Sequence, residues 1–225
     1  MMIRFAPNSL RRLAAWLIGL IVLCSVAGCQ EHSPQQMPVT EPGASETKPL
    51  IGCLAAVGPL RPNDAELFAA AQSGDLLSAE RSISAGANIA ARDALGRSPL
   101  FVAAMCDRLA IAKLLITHGT DINAQDFMGM SPLHAAVVDG WAALAEFLIA
   151  RGANVNLRDA DGRTPLHLAA ATDQAQMVTL IMTKGGDNMI IDRRGFTAAT
   201  LASRNGHMAV AAKIKEWRQN APRSP

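Results

Sequence analysis

The stretch DGRTPLHLAAA, residues 161–171, holds a complete instruction for ending a turn and starting a helix. Gly162 permits a tight turn, and Thr164 is an N-cap residue whose side-chain oxygen can satisfy a first-turn N–H. Pro165 follows at the first helical position, where its missing N–H costs nothing. Leu166, Ala169 and Ala170 then make a narrow apolar face whose small residues allow close packing. A second apolar stretch, Met177-Val178-Thr179-Leu180-Ile181-Met182, ends at Gly185, a C-terminal cap signal. One unit therefore reads turn, helix, turn, helix.

The unit recurs. Gly96, Gly129, Gly162 and Gly195 follow one another at 33 residues, as do Asp93, Asp126, Asp159 and Asp192. Gly86, Gly119, Gly152 and Gly185 share the step, and so do Ser98, Ser131, Thr164 and Thr197. Four registers with one period predict a solenoid, in which each unit buries its apolar face only against its neighbours.

The copies Ser98-Pro99-Leu100, Ser131-Pro132-Leu133-His134 and Thr164-Pro165-Leu166-His167, with Gly-Ala-Asn stretches downstream, resemble the ankyrin repeat. The likeness runs over residues 62–219. It implies an all-α solenoid of about five helix-turn-helix units joined by short hairpin loops. The first unit, residues 63–92, lacks the Thr-Pro-Leu-His turn. The last ends in charged Lys213, Lys215, Glu216 and Arg218, as terminal units with one wet face should. Two departures stand out: Gly185-Gly186-Asp187-Asn188-Met189 replaces Gly-Ala-Asp-Val-Asn, and Phe101 takes the place of the turn histidine.

The resemblance also implies a concave protein-binding face built from hairpin tips and the ends of the first helices. Carried over, its contact positions are Ala94, Leu95, Arg97, Met105 and Cys106 in the second unit. In the third they are Phe127, Met128, Met130, Val138 and Asp139. The fourth supplies Ala160, Asp161, Arg163, Ala171 and Thr172, and the fifth Arg193, Arg194, Phe196, Arg204 and Asn205. Turns gain little from apolar side chains, so Phe127, Met128 and Met130 around Gly129 call for an explanation. Met suits an adaptable surface and an aromatic a binding anchor. Leu95 extends the patch, and Arg163 and Arg193 give it a charged rim. The other reading is that these side chains pack onto neighbouring hairpins or under an apolar segment, LIGCLAAVGPL, at residues 50–60.

The beginning of the chain has another character. Arg4, Arg11 and Arg12 precede an apolar run of 14 residues, Leu13 to Val26, shorter than the roughly 18–20 that span a bilayer. Val26-Ala27-Gly28-Cys29 resembles a bacterial lipobox. It implies that residues 1–28 are a lipoprotein signal and that Cys29 is lipidated, with several acyl chains anchoring it stably. Gln30 after the cysteine points to the outer membrane, facing the periplasm. Residues 29–61 read as lipidated Cys and linker, Pro-, Glu-, Ser- and Thr-rich over residues 30–49, and residues 220–225 as a disordered tail.

Removing the signal takes three arginines and no acids, so the formal charge falls from +2 to −1 and gives no nucleic-acid footprint. No nucleophile elbow, phosphate loop or paired-cysteine metal motif occurs, so the sequence indicates neither enzyme nor cofactor. His134 and His167 sit on equivalent helix starts of stacked units. Stacked helices lie roughly 8–10 Å apart, too far for both to ligate one zinc at about 2 Å. Each is expected to bond a neighbouring turn instead. Cys24 leaves with the signal and Cys29 takes lipid. Cys53 and Cys106 remain, either bridged in an oxidising compartment or as two separate thiols. Met177, Met182 and Met208 fall on helical apolar positions and are expected in the core.

Together these readings give a monomeric, membrane-anchored periplasmic module that binds an envelope protein as adaptor, stabiliser or inhibitor. An immunity protein against a toxic envelope enzyme is one version. A structural protein holding a cell-wall polymer is the rival, disfavoured because Tyr is absent and only Trp141 and Trp217 lie beyond the signal.

Overall fold

The structure, a computed structural model, describes residues 60–220, with side chains as far as residue 217. The signal, Cys29, the linker up to residue 59 with Cys53, and residues 221–225 lie outside the described residues. Ten helices among the described residues form five antiparallel-type pairs. The first helices of each pair are α1 (Pro62–Ser73), α3 (Pro99–Met105), α5 (Pro132–Asp139), α7 (Pro165–Ala171) and α9 (Ala198–Arg204). Their partners are α2 (Leu76–Ser84), α4 (Leu109–Thr117), α6 (Ala142–Ala150), α8 (Ala175–Thr183) and α10 (Met208–Asn220).

The first helices of the pairs, the inner row, start where the turn chemistry directs; their partners make the outer row. Ser98 caps α3 by accepting the Phe101 N–H, and Thr197 caps α9 by accepting that of Thr200. Each inner helix then passes to its partner through one left-handed residue, at Gly74, Asp107, Gly140, Asp173 and Gly206 in turn. Aspartate is among the few side chains that tolerate this conformation, which is why it can alternate with glycine on one 33-residue step. The N–H groups of Arg108, Trp141 and Gln174 reach back to the carbonyls of Ala103, Ala136 and Ala169, so α4, α6 and α8 begin without side-chain caps, whereas Asp75 caps α2 by accepting the Ser78 N–H.

Packing follows the repeat. Inner helices touch in the order α1, α3, α5, α7, α9, and among outer helices α2 meets α4, α6 meets α8 and α8 meets α10. Leu67, Leu100, Leu133 and Leu166 are each fully buried on the inner row. Ala79, Ala112, Ala145, Val178 and Ala211 are buried on the outer row, beside Ser82, Leu115, Leu148, Ile181 and Ile214. Small residues on one stripe and leucines on the next bring backbones close without voids. Met177 and Met182 are in this core. Met208 is not: it is 64% exposed, because the first turn of the second helix faces water in this unit, as Ala142 and Ala175 do in theirs.

Lys213, Lys215 and Glu216 are exposed on α10, giving the last unit its wet face. The altered link before the fifth hairpin keeps the fold. Gly186 fits because a Cβ there would stand 2.6 Å from the Ile181 side chain and 2.9 Å from its carbonyl oxygen. Leu60 is half-buried against the core, and no helix among the described residues is long and apolar enough to cross a membrane.

Candidate functional site: the hairpin ladder and inner face

Each hairpin is organised by its aspartate. Asp93 Oδ1 accepts the N–H groups of Leu95 and Arg97, both at 2.9 Å. Asp126 does the same for Met128 and Met130 at 2.9 and 2.8 Å, and Asp159 for Asp161 and Arg163. Asp192 serves Arg194 and Phe196. Burial pushes the Asp192 carboxyl up, but the Phe196 N–H, the Arg194 guanidinium and the Arg194 N–H outweigh it and hold it below the usual range. These bonds fix the backbone on both sides of the glycine, so the tip side chains project from a rigid base.

Neighbouring hairpins are stitched together. The Phe127 N–H donates to Leu95 O at 3.1 Å, that of Ala160 to Met128 O at 2.8 Å, and that of Arg193 to Asp161 O at 2.8 Å. A parallel side-chain ladder runs alongside. Arg92 Nη1 donates to Gln125 O, Gln125 Nε2 to Arg158 O, and Arg158 Nη2 to Ile191 O, at 3.1, 2.9 and 2.7 Å. Gln125 Nε2 also bonds the Gly129 carbonyl. Sequence reading did not single out these residues. The available signal was a long donor side chain directly before three of the repeating aspartates.

His134 and His167 complete the scaffold. His134 Nδ1 accepts the Ser131 N–H at 3.1 Å, so its proton sits on Nε2, which donates to Arg163 O at 3.3 Å. His167 repeats this with Thr164 and with Phe196 O, at 3.2 and 3.1 Å. Each histidine thus ties its own helix start to the following hairpin, with both ring nitrogens used. Burial pushes the His134 pKa down to about 4 and lowers that of His167 as well.

On this scaffold Leu95, Phe127 and Met128 are 51, 76 and 60% exposed. The Phe127 ring lies against the neighbouring turn, so close to Gly96 that a Cβ there would meet it at 2.6 Å. Despite that contact most of the side chain stays in solvent. Val138 and Asp139 are exposed at the end of α5. Asp161 is exposed and paired at 3.1 Å with half-buried Arg163, which also holds Asp159 at 2.8 Å. Arg193 is exposed at the last tip.

Three of the expected contact residues are placed differently. Arg97 is only 5% exposed: its guanidinium turns inward to Asp93 at 2.7 Å and to Met105 Sδ at 3.9 Å, so it belongs to the scaffold. Met130 is half-buried and packs against the core, since its backbone leads straight into α5. Cys106 is buried, and Cys53 lies outside the described residues.

The geometry is that of repeated helix pairs joined by a hydrogen-bonded hairpin ladder, a protein-interaction scaffold. The family profile described as ankyrin repeats (three copies) matches residues 67–159 and 142–217. The chain belongs to the ankyrin-repeat family. Among curated proteins none matches it.

Proposed function

We propose that this chain is a lipid-anchored envelope protein, acylated at Cys29 and facing the periplasm from the outer membrane, which holds one protein partner on its inner face as adaptor, stabiliser or inhibitor. The observation that carries the binding role is the row Leu95, Phe127 and Met128. These are large apolar side chains left in water at the tips of two stitched hairpins, with rigid backbone beneath them. Fully burying a side chain of this size stabilises by roughly 1.5–3 kcal/mol. An apolar patch on a rigid base offers that gain to a partner at small ordering cost. Anchoring rests on the signal and lipobox pattern of residues 1–29, and the tether beyond would hold the module off the membrane.

The test is crosslinking in cells followed by purification of the lipidated chain, comparing wild type with a Phe127→Ser, Met128→Ser variant. Met130 stays as it is, because it packs against the core. Both substitutions lie on exposed side chains, so circular dichroism and thermal stability are expected to stay near wild type. Capture of the partner is expected to fall at least tenfold. Undiminished capture by the folded variant would sink the site. Cys29→Ser is expected to release the chain from the membrane fraction; continued membrane association would sink the anchor.

A further inference from the structure

The inner face changes its chemistry along the stack. One tip position reads Ala94, Phe127, Ala160, Arg193 through successive units, and the next reads Leu95, Met128, Asp161, Arg194. The position ending the inner helix reads Met105, Val138, Ala171, Arg204. The second and third units are therefore apolar, and the fifth is cationic at all three places.

In the fourth unit one guanidinium, Arg163, lies between two carboxylates, Asp159 and Asp161, so no cation is left over. The fifth differs. Asp192 pairs with Arg194 at 3.0 Å, while Arg193 and Arg204 have no carboxylate within ion-pair distance among the described residues. Three guanidiniums against one carboxylate leave a local surplus, on a chain whose formal charge beyond residue 28 is −1. Arg204 and Arg194 also flank the Phe196 ring, at 4.5 and 5.5 Å from its centre. Stacking on an aromatic holds a guanidinium in place without using its hydrogen-bond donors. Arg194 spends Nε and Nη2 on Asp192, so the free forks are that of Arg204, pre-positioned on the ring, and that of exposed Arg193, each able to grip carboxylate oxygens in pairs.

We infer that the partner lays an acidic segment, bearing at least two Asp or Glu residues, on the fifth unit beside the apolar segment it seats on the second and third. This rests on the binding role proposed above and names the chemistry of that partner. A protein segment is favoured because Leu95, Phe127, Met128 and Arg193 belong to one hydrogen-bonded ladder, which a single extended chain can follow. From the third unit to the fifth is two repeat steps, roughly 16–20 Å at ordinary helix spacing. An extended chain covers that in about five or six residues. The acidic residues should therefore lie about that far from the apolar anchor.

The experiment places a photo-crosslinking amino acid at position 127 or position 204 of the full lipidated chain in cells and maps the attachment sites by mass spectrometry. Both positions should reach the same partner chain, with position 204 landing in the acidic segment. Charge reversal, Arg193→Glu alone and Arg193→Glu with Arg204→Glu, should reduce crosslinking from position 127 tenfold or more for the double variant. Converting the partner's acidic residues to Lys should restore it. The single Arg193→Glu change breaks no side-chain hydrogen bond or ion pair seen among the described residues and guards against loss of the fold. Attachment from position 204 to lipid, to another macromolecule or to a segment without carboxylates overturns the inference. So does a folded double variant that captures like wild type. Capture at 127 with any of these results leaves the binding role standing, whereas no protein captured at 127 removes both.

Discussion

Acidification from pH 7 to about 4.5 is expected to weaken the fold by roughly 2–3 kcal/mol through His134 alone. The sign follows from burial. In the folded chain the ring is neutral, accepting at Nδ1 and donating at Nε2, and burial holds its pKa near 4 against an ordinary 6.5. Below pH 6.5 the unfolded chain takes up a proton that the folded chain refuses, so stability falls until the pH reaches about 4. His167 is shifted the same way and adds to the slope. The carboxylates act later. Asp64, held below the usual range by Arg61, and Asp192 contribute stability that is lost only as the pH drops under the ordinary carboxylate value of about 4. Urea unfolding of the purified chain at several pH values separates the two windows. His134→Gln should cost stability at pH 7 yet flatten the slope between pH 6.5 and 4. A stability unchanged across that window would mean that the histidines are not held neutral by the stack.

Much of this architecture is legible in the sequence because a solenoid repeats each physical requirement. The 33-residue step of Asp, Gly and Ser/Thr gives the hairpin, the turn and the cap, and all three form as the pattern requires. The residue joining each helix pair was harder to see. Its step is as regular, but it is Gly at three positions and Asp at two, so no single letter recurs. Arg97 was misread for a related reason. By register it matches Met130, Arg163 and Phe196, but register does not say where a long side chain points, and Asp93 four residues earlier draws the guanidinium inward. Arg163 has the same partner yet stays half-exposed, because Asp161 offers its headgroup a second carboxylate at the surface. Met208 shows that an apolar letter at helical spacing is weak evidence of burial. Comparison with its equivalents Ala142 and Ala175, both exposed, would have placed it outside. Exposure of Phe127 and Met128 is a tertiary fact. Only the packing of successive hairpins shows that the ring rests on Gly96 and that neither side chain reaches the core.

Gly129→Ala is expected to cost roughly 2–5 kcal/mol, well beyond the same change at Gly152. Both glycines have left-handed backbone, φ +70° and +96°, so each substitution carries the strain of an L side chain there, about 1–2 kcal/mol. At Gly152 nothing lies within 4 Å of the new Cβ, and strain is the whole cost. At Gly129 the Cβ would stand 2.6 Å from the Ala160 nitrogen and 3.0 Å from the Asp159 carbonyl carbon. These are backbone atoms and cannot swing aside like a side chain, so the third and fourth hairpins must separate. Separation stretches the Ala160 N–H bond to Met128 O, now 2.8 Å, and shifts the Gly129 carbonyl held by Gln125. The consequence reaches the binding face, because Phe127 and Met128 stand on that backbone. Partner capture should therefore fall in Gly129→Ala even at temperatures where the chain remains folded, while Gly152→Ala, on the loop after α6, should lose stability without losing capture. Thermal or urea unfolding of both variants, with crosslinking yield measured beside it, reads both effects. Equal destabilisation of the two would show that hairpin contact adds nothing to backbone strain. Unimpaired capture by folded Gly129→Ala would show that the patch does not depend on the ladder beneath it.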